Sequence, residues 1–144
     1  MRVLVQRCDE AKVLVDNKIV GKIDKGMVIL VGFTHTDTSA NIDYMVDKVL
    51  NLRIYDDEFG IMNKSILDTN GSILSISQFT LYADARKGRR PSYADALNGE
   101  LATKLYDEFN EKLRKKIHVE TGIFGAEMKV SLINDGPVTI ALEK

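Results

Sequence analysis

Ile73-Leu74-Ser75-Ile76-Ser77-Gln78-Phe79-Thr80 begins as an apolar run and passes into a polar one without a turn residue between them. The first half reads as a buried strand. Alternation puts Leu74, Ile76, Gln78 and Thr80 on one face and Ile73, Ser75, Ser77 and Phe79 on the other. Gln78 and Thr80 thus extend an apolar face, where an amide or a hydroxyl without a partner costs about 1–3 kcal/mol. Two readings stand. Either they cap the end of a central strand, or they sit at the mouth of a pocket for a polar ligand. Ser77 points to the opposite face if the strand stays regular. Both hydroxyls meet one ligand only if the strand ends or bulges here.

Outward from this strand, the chain alternates strands and helices. Asn70-Gly71 is a turn signal just before it. Upstream, Val3-Leu4-Val5 opens a strand. Lys12–Val15 and Lys18–Ile23 flank Asp16-Asn17 as a hairpin, and Met27–Phe33 reads as a buried strand after an Asp24-Lys25-Gly26 turn. Thr36-Asp37-Thr38-Ser39 offers helix N-caps. Ile42, Met45, Val46, Val49 and Leu50 then recur at helical spacing. Arg53-Ile54-Tyr55 reads as a short strand, followed by the acidic turn Asp56-Asp57-Glu58-Phe59-Gly60. That turn lacks EF-hand spacing and has no neighbouring histidine, so a solvated turn is favoured over a metal site.

Downstream, a helix over Glu100–Lys116 presents Leu101, Leu105, Phe109 and Leu113 as one stripe, with Arg114, Lys115 and Lys116 in its last turn. Thr121–Gly125 is a glycine-bracketed loop. Met128–Ile133 and Val138–Leu142 are strands on either side of an Asn134-Asp135-Gly136-Pro137 turn. The order predicts one α+β domain over residues 1–144. Its sheet is expected to be curved and barrel-like, mixed or mostly antiparallel, and covered by two helices.

Composition narrows the function classes. The 144 residues are 44% hydrophobic and 28% charged, the profile of a globular domain with a real core. Net charge is −1, so any contact with nucleic acid is local. The longest apolar run is too short to span a bilayer, and the N-terminus lacks the apolar stretch of a signal peptide, so a cytoplasmic protein is expected with no membrane partner. The single cysteine, Cys8, excludes an internal disulfide and a cysteine-built zinc site. Arg7 beside it would lower its pKa, yet a lone cysteine near a strand end reads as structural filler. His35 and His118 neighbour no nucleophile, and no HExxH, CxxC, P-loop or GxGxxG pattern occurs. No metal or cofactor is expected. The chain offers hydrogen-bond donors and backbone more readily than a strong base.

Two further stretches bear on function. Arg86-Lys87-Gly88-Arg89-Arg90-Pro91 places four cations in five residues just past the central strand. It is either a solvated loop or a holder of phosphates at a pocket mouth. Asn134-Asp135-Gly136-Pro137-Val138-Thr139 is either a plain trans turn or a place where Gly136 lets backbone approach a ligand.

Ser77–Leu81, Arg86–Pro91, Thr121–Ala126 and Asn134–Thr139, in this order, closely resemble the D-aminoacyl-tRNA deacylase family. The likeness runs from Met1 to the last strand and is loose only between Pro91 and Glu100. It implies hydrolysis of the ester joining a D-amino acid to the 3′-terminal adenosine of tRNA. It also implies a homodimer with active sites at the interface. By the same analogy Ser77, Gln78, Phe79 and Thr80 form the catalytic segment. Gly136-Pro137 is then cis and enters the partner's pocket, where it rejects L-amino acids. Arg7, Asn134 and Thr139 support that dipeptide, and Arg86, Lys87, Arg89 and Arg90 contact tRNA phosphates. Backbone exclusion of L side chains would leave glycyl-tRNA a substrate. The resemblance further points to the ribose 2′-hydroxyl as the assisting group, with Thr80 as covalent nucleophile the runner-up. A non-catalytic binder of RNA ends or of a small ligand is the alternative class. A general D-amino ester hydrolase is a third reading.

Overall fold

A computed structural model describes residues 1–144. Eight strands and two helices follow in the order β1 (Arg2–Val15), β2 (Lys18–Ile23), β3 (Gly26–Gly32), α1 (Ser39–Leu50), β4 (Tyr55–Asp56), β5 (Met62–Lys64), β6 (Ser72–Ser77), α2 (Gly99–Arg114), β7 (Val119–Thr121) and β8 (Lys129–Glu143). Short 3₁₀ turns occupy Ile66–Asp68 and Phe79–Tyr82. The fold is α+β, with two helices on a nearly closed, barrel-like mixed sheet.

β1 is one strand of 14 residues rather than two. On one edge its first half pairs with β3 and its second half with β2; on the other edge it pairs along its length with β8. All three pairings are antiparallel, whereas β3–β6 and β6–β7 are parallel. Helices α1 and α2 make the crossovers those parallel pairs require. The Asp16-Asn17 turn holds, with φ of 49° and 63° at its two residues, as a tight hairpin demands.

The sheet carries a core on each face. Met27, Ile29, Val31 and Ile73 meet Ile42, Met45, Val49, Phe109 and Leu113 of the helices. Val28, Leu74 and Ile76 face Cys8, Ala11, Val13 and Ile23 inside the curl. The period-2 alternation of β3 and β6 therefore feeds two cores at once. Each such side chain stabilises the fold by roughly 1.5–3 kcal/mol on burial. Thr38 precedes α1, and its N–H donates to Asn41 Oδ1 at 3.0 Å, half of a capping box.

Four local expectations need correction. Leu101 is exposed on the first turn of α2, while Leu105, Tyr106, Phe109 and Leu113 are buried. Arg53 and Ile54 precede the strand, which is only Tyr55–Asp56. Helix α2 stops at Arg114, so Lys115 and Lys116 lie past it. Asn134–Pro137 is no hairpin turn, because β8 runs straight through it. Between the pairs Gln6↔Thr139 and Cys8↔Asn134, β1 advances from 6 to 8 while β8 runs from 139 back to 134. Residues 135–138 thus bulge outward from an otherwise continuous ladder. The acidic turn is a solvated turn as expected: Asp57 Oδ1 accepts the N–H groups of Phe59 and Ile61. No helix is long and apolar enough to cross a membrane.

Candidate active site

Strand β6 ends at Ser77, and the chain turns at once into the 3₁₀ segment Phe79–Tyr82. Gln78, at φ −147° and ψ 85°, makes the bend. Its N–H still donates to Val31 O of β3 at 2.7 Å, so the bend is held to the sheet. The break in the strand releases Ser77, Gln78 and Phe79 from strict alternation. All three line one cavity of about 530 Å³.

That cavity lies past the carboxyl ends of the parallel strands β3, β6 and β7, the end where parallel sheets commonly bind ligands. Val31–Phe33 close β3 on one side, and Leu97–Gly99 and Ala102 at the start of α2 form another wall. Phe124–Ala126, after β7, form a third, with Met128 and Val130 beside them. Leu97 N–H donates to Phe33 O at 2.9 Å, and Gly122 N–H to Ser75 O at 3.2 Å, tying the walls to the strands. Gly32 is required by this closeness: a Cβ there would stand 2.9 Å from Gln78 O and 3.2 Å from Leu81 Cβ.

Chemically the cavity is apolar with a few fixed donors. None of its 16 lining residues carries a titratable side chain. Ten are hydrophobic. Phe79 and Thr80 begin the 3₁₀ turn, so their N–H groups have no acceptor inside it. Gln78 and Thr80 do not continue the apolar face of β6, which ends at Ser77; instead Gln78 Nε2 donates to Thr80 Oγ1, so the two polar side chains are partners. Thr80 itself is exposed on the rim and does not line the cavity.

The remaining candidates form two clusters. In the first, Arg86 is clamped by Asp84, with Nε to Oδ1 at 2.9 Å and Nη2 to Oδ2 at 2.8 Å. The hydrogen-bonded Arg86 guanidinium holds the Asp84 carboxyl well below the usual range. Lys87, Arg89 and Arg90 are exposed and form no ion pair.

In the second cluster, Gly136 and Pro137 are exposed on the β8 bulge, joined by a cis peptide bond. They do not line their own subunit's cavity. The bulge is laced from below. Asn134 Nδ2 donates to Arg7 O at 2.9 Å and to Val138 O at 3.0 Å. Thr139 Oγ1 donates to Asn134 Oδ1 at 3.0 Å. Buried Arg7 donates from Nη1 to Ile54 O at 2.7 Å. Its Nε stands 2.8 Å from Asp135 Oδ2, a charge pair whose N–H is not aligned on the carboxylate. A Cβ on Gly136, where φ is +113°, would lie 2.7 Å from Val138 N and 3.4 Å from Arg7 Nη2.

Cys8 is buried, and burial pushes its thiol up to about 11. That outweighs any lowering by Arg7 and agrees with the filler reading. His35 Nε2 lies 3.0 Å from Ala94 O, and His118 lies 3.0 Å from Glu120. Neither reaches the cavity. No cluster of three metal-ligating side chains occurs. Sequence reasoning missed the contributions of Leu97, Asn98, Gly99 and Ala102. They lie in or next to the stretch with the loosest motif content, and only the packing of α2 brings them here.

The family model described as D-Tyr-tRNA(Tyr) deacylase matches residues 4–143. A D-aminoacyl-tRNA deacylase of Bacillus cereus (strain AH187) is 58% identical over 144 residues, covering 99% of both chains. One from Bacillus thuringiensis (strain Al Hakam) is equally similar, at 58% over the same span. Among solved structures, the c-Myc DNA Unwinding Element Binding Protein superposes with a TM-score of 0.95 at 40% identity, covering 100% of this chain and 99% of its own.

Proposed function

Because this chain belongs to the D-Tyr-tRNA(Tyr) deacylase family, we propose that it hydrolyses the ester joining a D-amino acid to the 3′-terminal adenosine of tRNA. It is a hydrolase of the D-aminoacyl-tRNA deacylase class. The observation that carries the finer reading is a cavity with mostly apolar walls and no titratable side chain in its lining.

An aminoacyl ester is already activated, so modest transition-state stabilisation suffices. Water attacks the ester carbonyl, and the N–H groups of Phe79 and Thr80 hold the oxyanion, an effect of about 3–4 kcal/mol per donor. The carbonyl carbon–O3′ bond then breaks. The D-amino acid leaves as its carboxylate, the departing 3′-oxygen takes one of the water's protons to become the 3′-hydroxyl, and the other proton passes to solvent. The cavity wall supplies no side-chain base, and the resemblance to the family points to the ribose 2′-hydroxyl as the assisting group.

Chirality is sorted by shape. With the amino group and ester fixed, D and L side chains leave the α-carbon in different directions. Gly136 and Pro137 of a second copy, in a homodimer with its active sites at the interface, block the L direction with main chain. Their exposure on a laced bulge, away from their own cavity, supports this placement. Main chain yields less than a side chain, so many D-amino acids are accepted, and glycyl-tRNA is cleaved. The protein works in the cytoplasm, where charged tRNA is found. Lys87, Arg89 and Arg90 are the free cations for the tRNA backbone.

The test is incubation with D-tyrosyl-, L-tyrosyl- and glycyl-tRNA. Release of the D and glycyl forms alone is expected. Resistance of glycyl-tRNA would remove the exclusion mechanism. Small D-amino esters cleaved as fast as charged tRNA would favour a general esterase. A second reading, a nucleic-acid-binding module without catalysis, is favoured by one observation: a 40% identical protein of the same fold is named for binding a DNA unwinding element. Binding of tRNA without release of any amino acid would support it.

A further inference from the structure

At the neck of the cationic loop, next to the Asp84–Ser92 bridge, stands an aromatic pair whose rings the chemistry above does not use. The rings of Phe79 and Tyr93 meet edge to face, with centroids 5.2 Å apart and planes at 66°. Both remain widely exposed, at 45% and 41%. Phe79 also lines the cavity, while Tyr93 stands outside it.

Tyr93 is exposed on a fixed backbone. Asp84 and Ser92 exchange two backbone hydrogen bonds of 2.8 and 2.9 Å, which close the cationic loop immediately before it. The segment beyond is pinned to the loop after β3: Thr34 Oγ1 donates to Asp95 O at 2.7 Å, and Leu97 N–H donates to Phe33 O at 2.9 Å. A ring carried on a fixed backbone and braced by a second ring loses less freedom on binding than an unbraced one. Arg86 is neutralised by Asp84, whereas Lys87, Arg89 and Arg90 form no ion pair. The cationic loop lies between Phe79 and Tyr93 in the chain, and the Asp84–Ser92 bridge that closes it sets its neck beside Tyr93, which in turn touches Phe79 of the cavity wall. Sites for single-stranded nucleic acid combine these parts: a cationic track for the backbone and aromatic faces for bases.

We propose that Tyr93, braced by Phe79, is the stacking platform for the base of the penultimate nucleotide of the RNA 3′ end. The terminal nucleoside occupies the cavity, and the backbone continues toward Lys87, Arg89 and Arg90. This rests on the reading of the cavity as the site of an aminoacylated RNA end. Stacking tolerates any base, because each has a π face. The platform therefore recognises an unpaired end rather than a sequence, and it acts whichever amino acid is attached.

The experiment uses an uncharged RNA minihelix ending in CCA, with 2-aminopurine in place of the penultimate nucleotide. It is titrated with the wild type and with Tyr93→Phe, Tyr93→Leu and Tyr93→Ala. Quenching on binding is expected for the wild type and Tyr93→Phe. It is expected to vanish in the Leu and Ala variants, with binding weakened roughly tenfold. In parallel, the ratio of kcat/KM for D-tyrosyl-tRNA to that for D-tyrosyl-adenosine, which has no penultimate base, falls by a like factor in Tyr93→Ala and recovers in Tyr93→Phe. Absence of quenching in the wild type, or an unchanged ratio in Tyr93→Ala, overturns the proposal. Quenching with no release of D-tyrosine from tRNA supports the platform and overturns the catalytic reading instead.

Discussion

Arg7 of β1 and Asp135 of β8 form a charge pair, with Nε 2.8 Å from Oδ2, beside the bulge that carries Gly136 and Pro137. Arg7 also bonds Ile54 O, so a single buried side chain links β8 to the segment that precedes β4. Arg7→Met leaves that buried carbonyl without its donor and Asp135 without its cation. A loss of about 2 kcal/mol is expected, measured by urea denaturation. Discrimination of D- over L-tyrosyl-tRNA should fall as well, although Arg7 does not line the cavity. Undiminished discrimination in a folded Arg7→Met protein would remove its supporting role.

Gly136→Ala tests the bulge itself. The position has φ +113°, and an added Cβ would stand 2.7 Å from Val138 N, so the backbone must move. Strain of roughly 1–3 kcal/mol is expected in the Tm. The D/L ratio of deacylation rates should drop at least tenfold. An unchanged ratio would mean that the wall lies elsewhere.

Thr80 sits on the rim, tied to Gln78. Thr80→Val keeps the backbone N–H and removes the hydroxyl. A loss in kcat of less than roughly a hundredfold is expected in single-turnover assays. Loss on the order of a millionfold, as for a missing nucleophile, would restore the covalent route. A tRNA ending in 2′-deoxyadenosine should react poorly with the wild type.

Lys87, Arg89 and Arg90 are free of ion pairs, so their effect should appear as salt dependence. Replacing all three by Ala should lower the slope of log binding constant against log salt by about 2, at roughly 0.7–0.9 per phosphate contact. Binding isotherms at several salt concentrations measure it. An unchanged slope would return the loop to plain solvent exposure.

Cys8 gives a pH signature. Its thiol titrates near 11 in the folded chain, against an ordinary value of 9.0, because burial disfavours the thiolate. The unfolded chain releases this proton first. The contribution to stability is therefore complete below pH 9 and declines as pH rises through 11. Urea midpoints should fall more steeply over this window in the wild type than in Cys8→Ala. Equal slopes would contradict the burial. The same thiol should resist alkylation at pH 8 in the folded protein.

Local chemistry in the sequence determined a good deal. Alternation marked β3 and β6 and assigned Leu74 and Ile76 to one face and Ile73 to the other. Helical spacing marked α1 and most of α2, and Asp16-Asn17 marked the hairpin. Periodicity reports which way a side chain points, and turn residues report where φ is positive; both are local properties. Motif likeness located the Ser77–Thr80 and Asn134–Thr139 segments but left open how they sit in space. Only the tertiary structure decided that β3, β6 and β7 are parallel, which gathers three strand ends around one cavity. Only it made Asn134–Pro137 a bulge in a continuous strand, because the ladder to β1 outweighs a local turn signal. It also set Tyr93 against Phe79 and Arg7 against Asp135. Partners so far apart along the chain meet through strand register and helix packing, and no window of neighbouring residues encodes that choice.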